Sequence, residues 1–309
     1  MKQLICGLLL AGLAGLAAAA DDIAIPGEQF FPQGIAIAND GSMFVGSIKQ
    51  GAIYRVAPGS RQAEPFIAAG SNGLVSVAGL NVDERAQILW ACSSDPGVGT
   101  LSGKAPVALK SFDSKSGRPK ASYELPEGAY CNDMAIGRDG TVYVTDSQHG
   151  AILRLRRNDT QLQPWAQDPR WNEEGFSVSG ITVDGMGALM VVTGVTGRLY
   201  RIPVRWDGAA GKVQEILLDR PLKLADGLRT QAKRKLLVVE GEGRLSSIDW
   251  MGENGTVKTV QDGLARPTAL DIRNDTAYVV EGQLDLLFDK RKAGQPARPF
   301  RIVAVPLPK

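Results

Sequence analysis

Apolar and polar positions alternate along this chain in short bursts, with no sustained helical period, and the bursts recur as a unit. Each unit opens on a small or polar pair and continues as apolar residues in period-two alternation. It then turns at Asp, Gly or Asn and resumes as a β-branched strand. Period-two alternation points one face of a strand inward, and Asp-Gly closes a hairpin because these residues accept the backbone of a tight turn. In the third unit Met134-Ala135-Ile136 reads as an inner strand, Asp139-Gly140 as the turn, Val142-Tyr143-Val144 as a second strand and Ala151–Leu155 as a third. Glu64–Ile67 and residues 213–216 read as fourth, outer strands. The units begin at Gln33-Gly34, Ala78-Gly79, Asn132-Asp133, Ser179-Gly180, Asp226-Gly227 and Pro267-Thr268, roughly 41 to 54 residues apart. That period predicts an all-β fold, a six-bladed β-propeller. The last unit supplies three strands, ending over residues 300–305, and residues 22–25 have the length and pattern of the missing fourth. The expected ring is therefore closed by an N-terminal strand, which removes an exposed sheet edge.

Ahead of the repeats, Met1-Lys2 precedes an apolar Leu/Ala/Gly run that ends in Ala18-Ala19-Ala20. This is the pattern of a secretory signal peptide over residues 1–20, leaving 21–309 as the propeller and a periplasmic or secreted location as the expectation. The run is too short to span a bilayer and no later segment is apolar enough, so no membrane insertion is expected. Lys and Arg number 35 against 33 Asp and Glu, which offers no basic field for nucleic acid. A small-molecule ligand is the partner this leaves. Of the cysteines beyond the leader, Cys92 should end a second strand and Cys131 precede the neighbouring inner strand. A disulfide is geometrically open to them, and two buried thiols are the alternative.

The turn after each second strand returns to the end of the ring where the starting pairs lie. These turns carry Lys49, Asp95, Asp146 with His149, Thr193, Glu240 with Glu242, and Glu281. Propeller ligands bind where such loops converge, which makes Asn132, Asp146, Glu240 and Glu281 candidates for substrate binding. Exposed turn acids are the other reading of the carboxylates. His149 is the only histidine and so the obvious acid/base candidate near neutral pH. Residues 175–179 lack the final Gly of a nucleophile elbow, and no Cys or His pair is spaced for zinc.

The stretch CNDMAIGRDGTVYVTDS, Cys131 to Ser147, followed by GAILRL, resembles the gluconolactonase and regucalcin superfamily of six-bladed propellers. The resemblance extends over essentially the whole mature chain. It implies one divalent cation, usually calcium, at the top of the channel, held by a Glu of the first blade, Asn of middle blades and an Asp of the fifth. The matching positions are Gln33, Asn132, Ser179 and Asp226. Gln33 stands where the acid is expected and Ser179 where an Asn is expected. Calcium affinity rises with ligand charge, so the cation is expected to be weakly bound or absent. Turn capping is the other role open to Asn132 and Asp226. The resemblance implies a metal-assisted hydrolase of lactones or small esters, with Asp226 and His149 catalytic. A binding or scaffold propeller with a degenerate metal site is the alternative, and a carbon–oxygen or carbon–nitrogen lyase a third.

Overall fold

A computed structural model describes residues 22–172 and 175–308; the expected leader lies outside them. After a short strand β1 (Ile23–Ile25), the chain forms an antiparallel sheet of β2 (Pro32–Ile37), β3 (Met43–Ser47), β4 (Ile53–Val56) and β5 (Glu64–Ile67). The meander recurs as β6 (Leu80–Asp83), β7 (Ile88–Ser93), β8 (Ala108–Asp113) and β9 (Pro119–Glu124). It recurs again as β10 (Cys131–Ile136), β11 (Val142–Asp146), β12 (Ala151–Leu155) and β13 (Gln163–Gln167). A fourth run is β14 (Val178–Val183), β15 (Leu189–Thr193), β16 (Leu199–Ile202) and β17 (Gln214–Leu218). A fifth is β18 (Ala225–Ala232), β19 (Lys235–Glu240), β20 (Arg244–Met251) and β21 (Asn254–Gln261). The last strands are β22 (Pro267–Arg273), β23 (Thr276–Glu281) and β24 (Phe300–Pro306).

The arrangement is all-β and propeller-type. The strands fall into four four-stranded sheets and one of eight, because the outer strands β17 and β21 pair in parallel through Leu217 with Asn254 and Leu218 with Gly255. The repeat gave no warning of that junction. The first strand of each run lies beside its counterparts: β2 touches β6 and β22, β10 touches β6 and β14, and β18 touches β14 and β22. These contacts explain the glycine that is the second residue of four of the six starting pairs, at 34, 79, 180 and 227. A Cβ on Gly34 would lie 2.0 Å from the carbonyl oxygen of Ala78, and one on Gly180 would lie 2.2 Å from that of Asp226. At these glycines the inner strands approach backbone to backbone, and a side chain has no room.

The core lies between neighbouring sheets, so the second strands, covered on both faces, read as continuous apolar runs. All of Leu237, Val238 and Val239 in β19 are buried. The expected closure is present: β1 pairs antiparallel with β24, Ile23 opposite Ile302 and Ile25 opposite Phe300. On its other side the Ala24 amide donates to Arg61 O at 2.9 Å, and the Ala63 amide donates to Ala24 O at 2.9 Å. β1 thus binds the last sheet to the first. The two cysteines form a disulfide with Cα atoms 5.2 Å apart, tying β7 to β10 of the next sheet.

Candidate functional site

The last residue of each second strand is buried at one end of the ring, and most of these side chains fasten the loop that enters the inner strand of the same sheet. Ser93 Oγ accepts from the Val75 amide at 3.0 Å, and Asp146 Oδ1 from the Tyr130 amide at 2.9 Å. Glu240 Oε2 accepts from the Lys223 amide at 2.8 Å, and Glu281 Oε1 from the Ala265 amide at 2.7 Å. Their remaining oxygens are also engaged. Arg220 holds Glu240 in a two-pronged pair at 2.7 and 2.8 Å, and Arg301 meets Glu281 Oε2 at 2.7 Å. Asp146 Oδ2 lies 2.7 Å from His149 Nδ1. The three carboxylates expected to face a ligand are therefore placed at the right end of the ring but are turned into its loops. His149 sits outside the pocket described next, with its side chain 43% exposed.

At this end a pocket of about 380 Å³ opens over the channel. Its floor brings together Gln33, Asn132, Ser179 and Asp226, delivered by β2, β10, β14 and β18. The Asn132 side-chain amide donates to Ser147 Oγ at 2.8 Å, and Ser179 Oγ donates to Ala225 O at 2.8 Å. The Gln33 side chain lies beside the Tyr130 phenol, and its Oε1 is buried without a partner. Below the floor a void of about 10 Å³ is bounded by Gln33, Asn132 and Asp226 together with Asp133 and Arg229. Here Arg229 donates to Asp133 Oδ2 at 3.0 Å and lies 4.0 Å from Asp271 Oδ1. The channel is thus crossed by one buried cation between two acids.

This cluster sets the electrostatics of the floor. Burial holds the Asp226 carboxyl well above its ordinary pKa, the charge of Asp133 adds to the shift, and Arg229 partly offsets it. Asp271 is likewise raised by burial, against the opposing pull of Arg229 and the Ile272 and Ile37 amides. Burial and the Asp226 charge push the Tyr130 phenol upward, partly opposed by the neighbouring Gln33 amide, so it remains a neutral donor at physiological pH.

The floor can be tested as a cation site by its donors. The unpartnered Gln33 Oε1 is an available oxygen, and Asn132, Ser179 and Asp226 add three oxygen-bearing side chains. Only one of the four carries a carboxyl, and the Arg229 guanidinium lies close enough to influence it. Calcium takes six to eight oxygens and is held by their charge. Among the described residues no group of three or more His, Cys, Asp or Glu side chains is gathered to hold a metal ion, and the floor offers little of the charge that binds calcium.

Sequence reasoning did not single out Tyr130, Asp133, Arg229 or Asp271. Asp133 was visible only as half of a starting pair, and Tyr130 as the residue before Cys131. The available signal was charge within inner strands, Arg229 and Asp271 interrupting stretches that otherwise read as core.

No family model matches the sequence, and no curated protein does either. Solved structures do match the fold. A gluconolactonase from Xanthomonas campestris superposes with a TM-score of 0.65 at 14% identity, covering 95% of this chain and 99% of that one. A virginiamycin B lyase from Staphylococcus aureus gives 0.61 at 14% identity, covering 93% and 99%. The PQQ-bound aldose sugar dehydrogenase of Streptomyces coelicolor gives 0.63 at 15%, covering 93% and 97%. The gluconolactonase likeness read from the sequence is thus matched in fold, which lyases and a dehydrogenase share.

Proposed function

We propose that this chain is an exported six-bladed propeller that hydrolyses a lactone or small ester in the pocket over its channel. Counting the eight-stranded sheet as two blades joined at β17 and β21 gives the six. The Cys92–Cys131 disulfide supports export, since such bonds persist in oxidising compartments. The observation that carries the reading is the meeting of Gln33, Asn132, Ser179 and Asp226, from four separate inner strands, on one pocket floor.

In this reading Asp226 is the general base. Burial holds its carboxyl well above the ordinary carboxylate range, which makes its ionised form a stronger base. It takes a proton from water as the water oxygen bonds to the substrate carbonyl carbon. The Tyr130 phenol, kept protonated, donates to the oxygen on which negative charge develops. When the carbon–oxygen bond of the ester breaks, the departing oxygen receives the proton from Asp226. The product is a hydroxy acid from a lactone, or an acid and an alcohol from an open-chain ester; its new carboxyl releases a proton to solvent, and the resulting carboxylate is repelled by the restored Asp226. A divalent ion bound by Gln33, Asn132, Ser179 and Asp226 would polarise the carbonyl. His149, expected to share the chemistry, serves in this reading to complete the Asp146 loop anchor.

The test is hydrolysis of a panel of γ- and δ-lactones and aryl esters by the mature protein, followed by release of acid. At least one substrate should turn over, with kcat/KM reduced at least about a hundredfold in Asp226→Asn. Turnover that survives this substitution unchanged overturns the assignment. A second reading, a binding propeller without chemistry, draws on Gln33 and Ser179, which leave the floor with a single carboxyl. No turnover on the panel would favour it.

A further inference from the structure

Resting on the reading that this pocket is the substrate site, we infer that its substrate is an uncharged molecule with a carbonyl head and an apolar tail. A lactone or ester bearing an alkyl or aryl group fits this description, and a polyhydroxylated sugar lactone does not. Among the described residues eight large hydrophobic side chains are exposed, and four of them, Phe176, Val195, Leu224 and Phe288, line this one pocket. Single exposed hydrophobics scattered over a surface need no explanation, but a cluster around a concave site marks a ligand contact. The four come from separate segments: the entries to β14 and β18, the turn after β15, and the end of the short helix Asp285–Phe288. No local sequence feature would collect them.

The rim is also built. Phe176 packs on the Tyr130 ring with centroids 4.7 Å apart, which continues the apolar wall down to the floor. Leu224 is held at φ 52°, in the left-handed region that a leucine rarely occupies. The Gly241 amide donates to its carbonyl at 2.9 Å, so the loop fixes Leu224 in this conformation with its side chain 52% exposed. Strain of this kind persists where surrounding structure imposes it, and here it presents an apolar side chain to a pocket.

The floor selects against charge. Among the described residues that line the pocket, Asp226 and Tyr130 alone are ionisable. An anionic head finds no lysine or arginine facing it, and a cationic head meets an acid that already has Arg229 behind it. Among the described lining residues, side-chain hydrogen-bonding groups are confined to the floor, enough for one carbonyl and its neighbouring oxygen, while those of the upper walls offer a sugar's hydroxyls no such partners. The volume of about 380 Å³ falls at the small end of ligand pockets, which run from about 300 to 1,000 Å³.

The experiment uses cyclopentanones carrying alkyl chains of one to about eight carbons, which offer the carbonyl head without a scissile bond. Binding to the mature protein is measured by calorimetry, alongside glucono-δ-lactone and the matching alkyl γ-lactones. Affinity should rise by up to about fourfold for each methylene until the chain outruns the rim. Val195→Asp should weaken the longest member at least about tenfold and the shortest by less than about twofold, with the fold checked by circular dichroism. A flat series, or tighter binding of glucono-δ-lactone than of the alkyl probes, overturns the inference. A rising series with no hydrolysis of the alkyl lactones supports the inference and overturns the hydrolase reading, so the two fail separately.

Discussion

Arg229 donates to Asp133 at 3.0 Å across the channel, joining inner strands whose residues are 96 apart in the chain. The same guanidinium lies 4.0 Å from Asp271 and partly offsets the raised pKa of Asp226. Removing one partner of a buried ion pair leaves the other charged and desolvated, which costs about 3–5 kcal/mol. Arg229→Leu should therefore lower unfolding free energy by about that amount, read from urea titrations of both proteins. A loss no larger than that of an exposed pair, about 1 kcal/mol or less, would show that the channel acids find other compensation.

Asp226 makes stability depend on pH in a defined direction. Its native pKa is raised above the ordinary 3.8, so the folded protein keeps a proton that the unfolded chain has released. The associated stability is fully present below about pH 4 and is lost as the pH rises through the native pKa. Asp226→Asn removes that loss. Stability measured from about pH 4 to about pH 8 should fall less steeply in the variant than in the parent, and parallel curves would contradict the shift.

The pocket floor carries one carboxyl where calcium favours more. Gln33→Glu with Ser179→Asn adds a charge and an amide oxygen, and calcium affinity should rise at least about tenfold, or 1.4 kcal/mol. Asp226→Ala should abolish binding in either background. Calorimetric titration with calcium distinguishes the cases, and binding that survives loss of Asp226 would move the cation elsewhere.

β1 is a short segment with a large expected effect. Ile23 and Ile25 are buried against the last sheet, and β1 also bonds the first. Replacing both with Ala should destabilise the protein by about 4–10 kcal/mol in total, at 2–5 kcal/mol for each. Equal melting temperatures for variant and parent would mean that the ring does not depend on this strand.

The ring was legible because its constraints repeat. Each unit opens on a small or polar pair where inner strands meet and turns at a similar distance beyond it, so a pair such as Ser179-Gly180 can be recognised by comparison with Gln33-Gly34. The four floor residues open the first, third, fourth and fifth units, and it was the family resemblance, not the repeat alone, that singled them out. The roles of Asp146, Glu240 and Glu281 were not legible, because a carboxyl at the end of a second strand can turn toward a ligand or toward its own loop. The choice depends on partners such as the Lys223 and Ala265 amides, which no local pattern reveals. Leu224 and Val195 were invisible as a rim for a similar reason, since each is an ordinary apolar residue until the fold sets it beside Phe176 and Phe288.

The pairing of β1 with β24 also has a consequence for biosynthesis. Asp22 and Arg301, which form an ion pair at its edge, are 279 residues apart. A ribosome adding roughly 5–20 residues per second needs about 15–55 s between them. Until β24 has been synthesised β1 has no strand partner, so the pairing that joins the last sheet to the first cannot form before the chain is nearly complete.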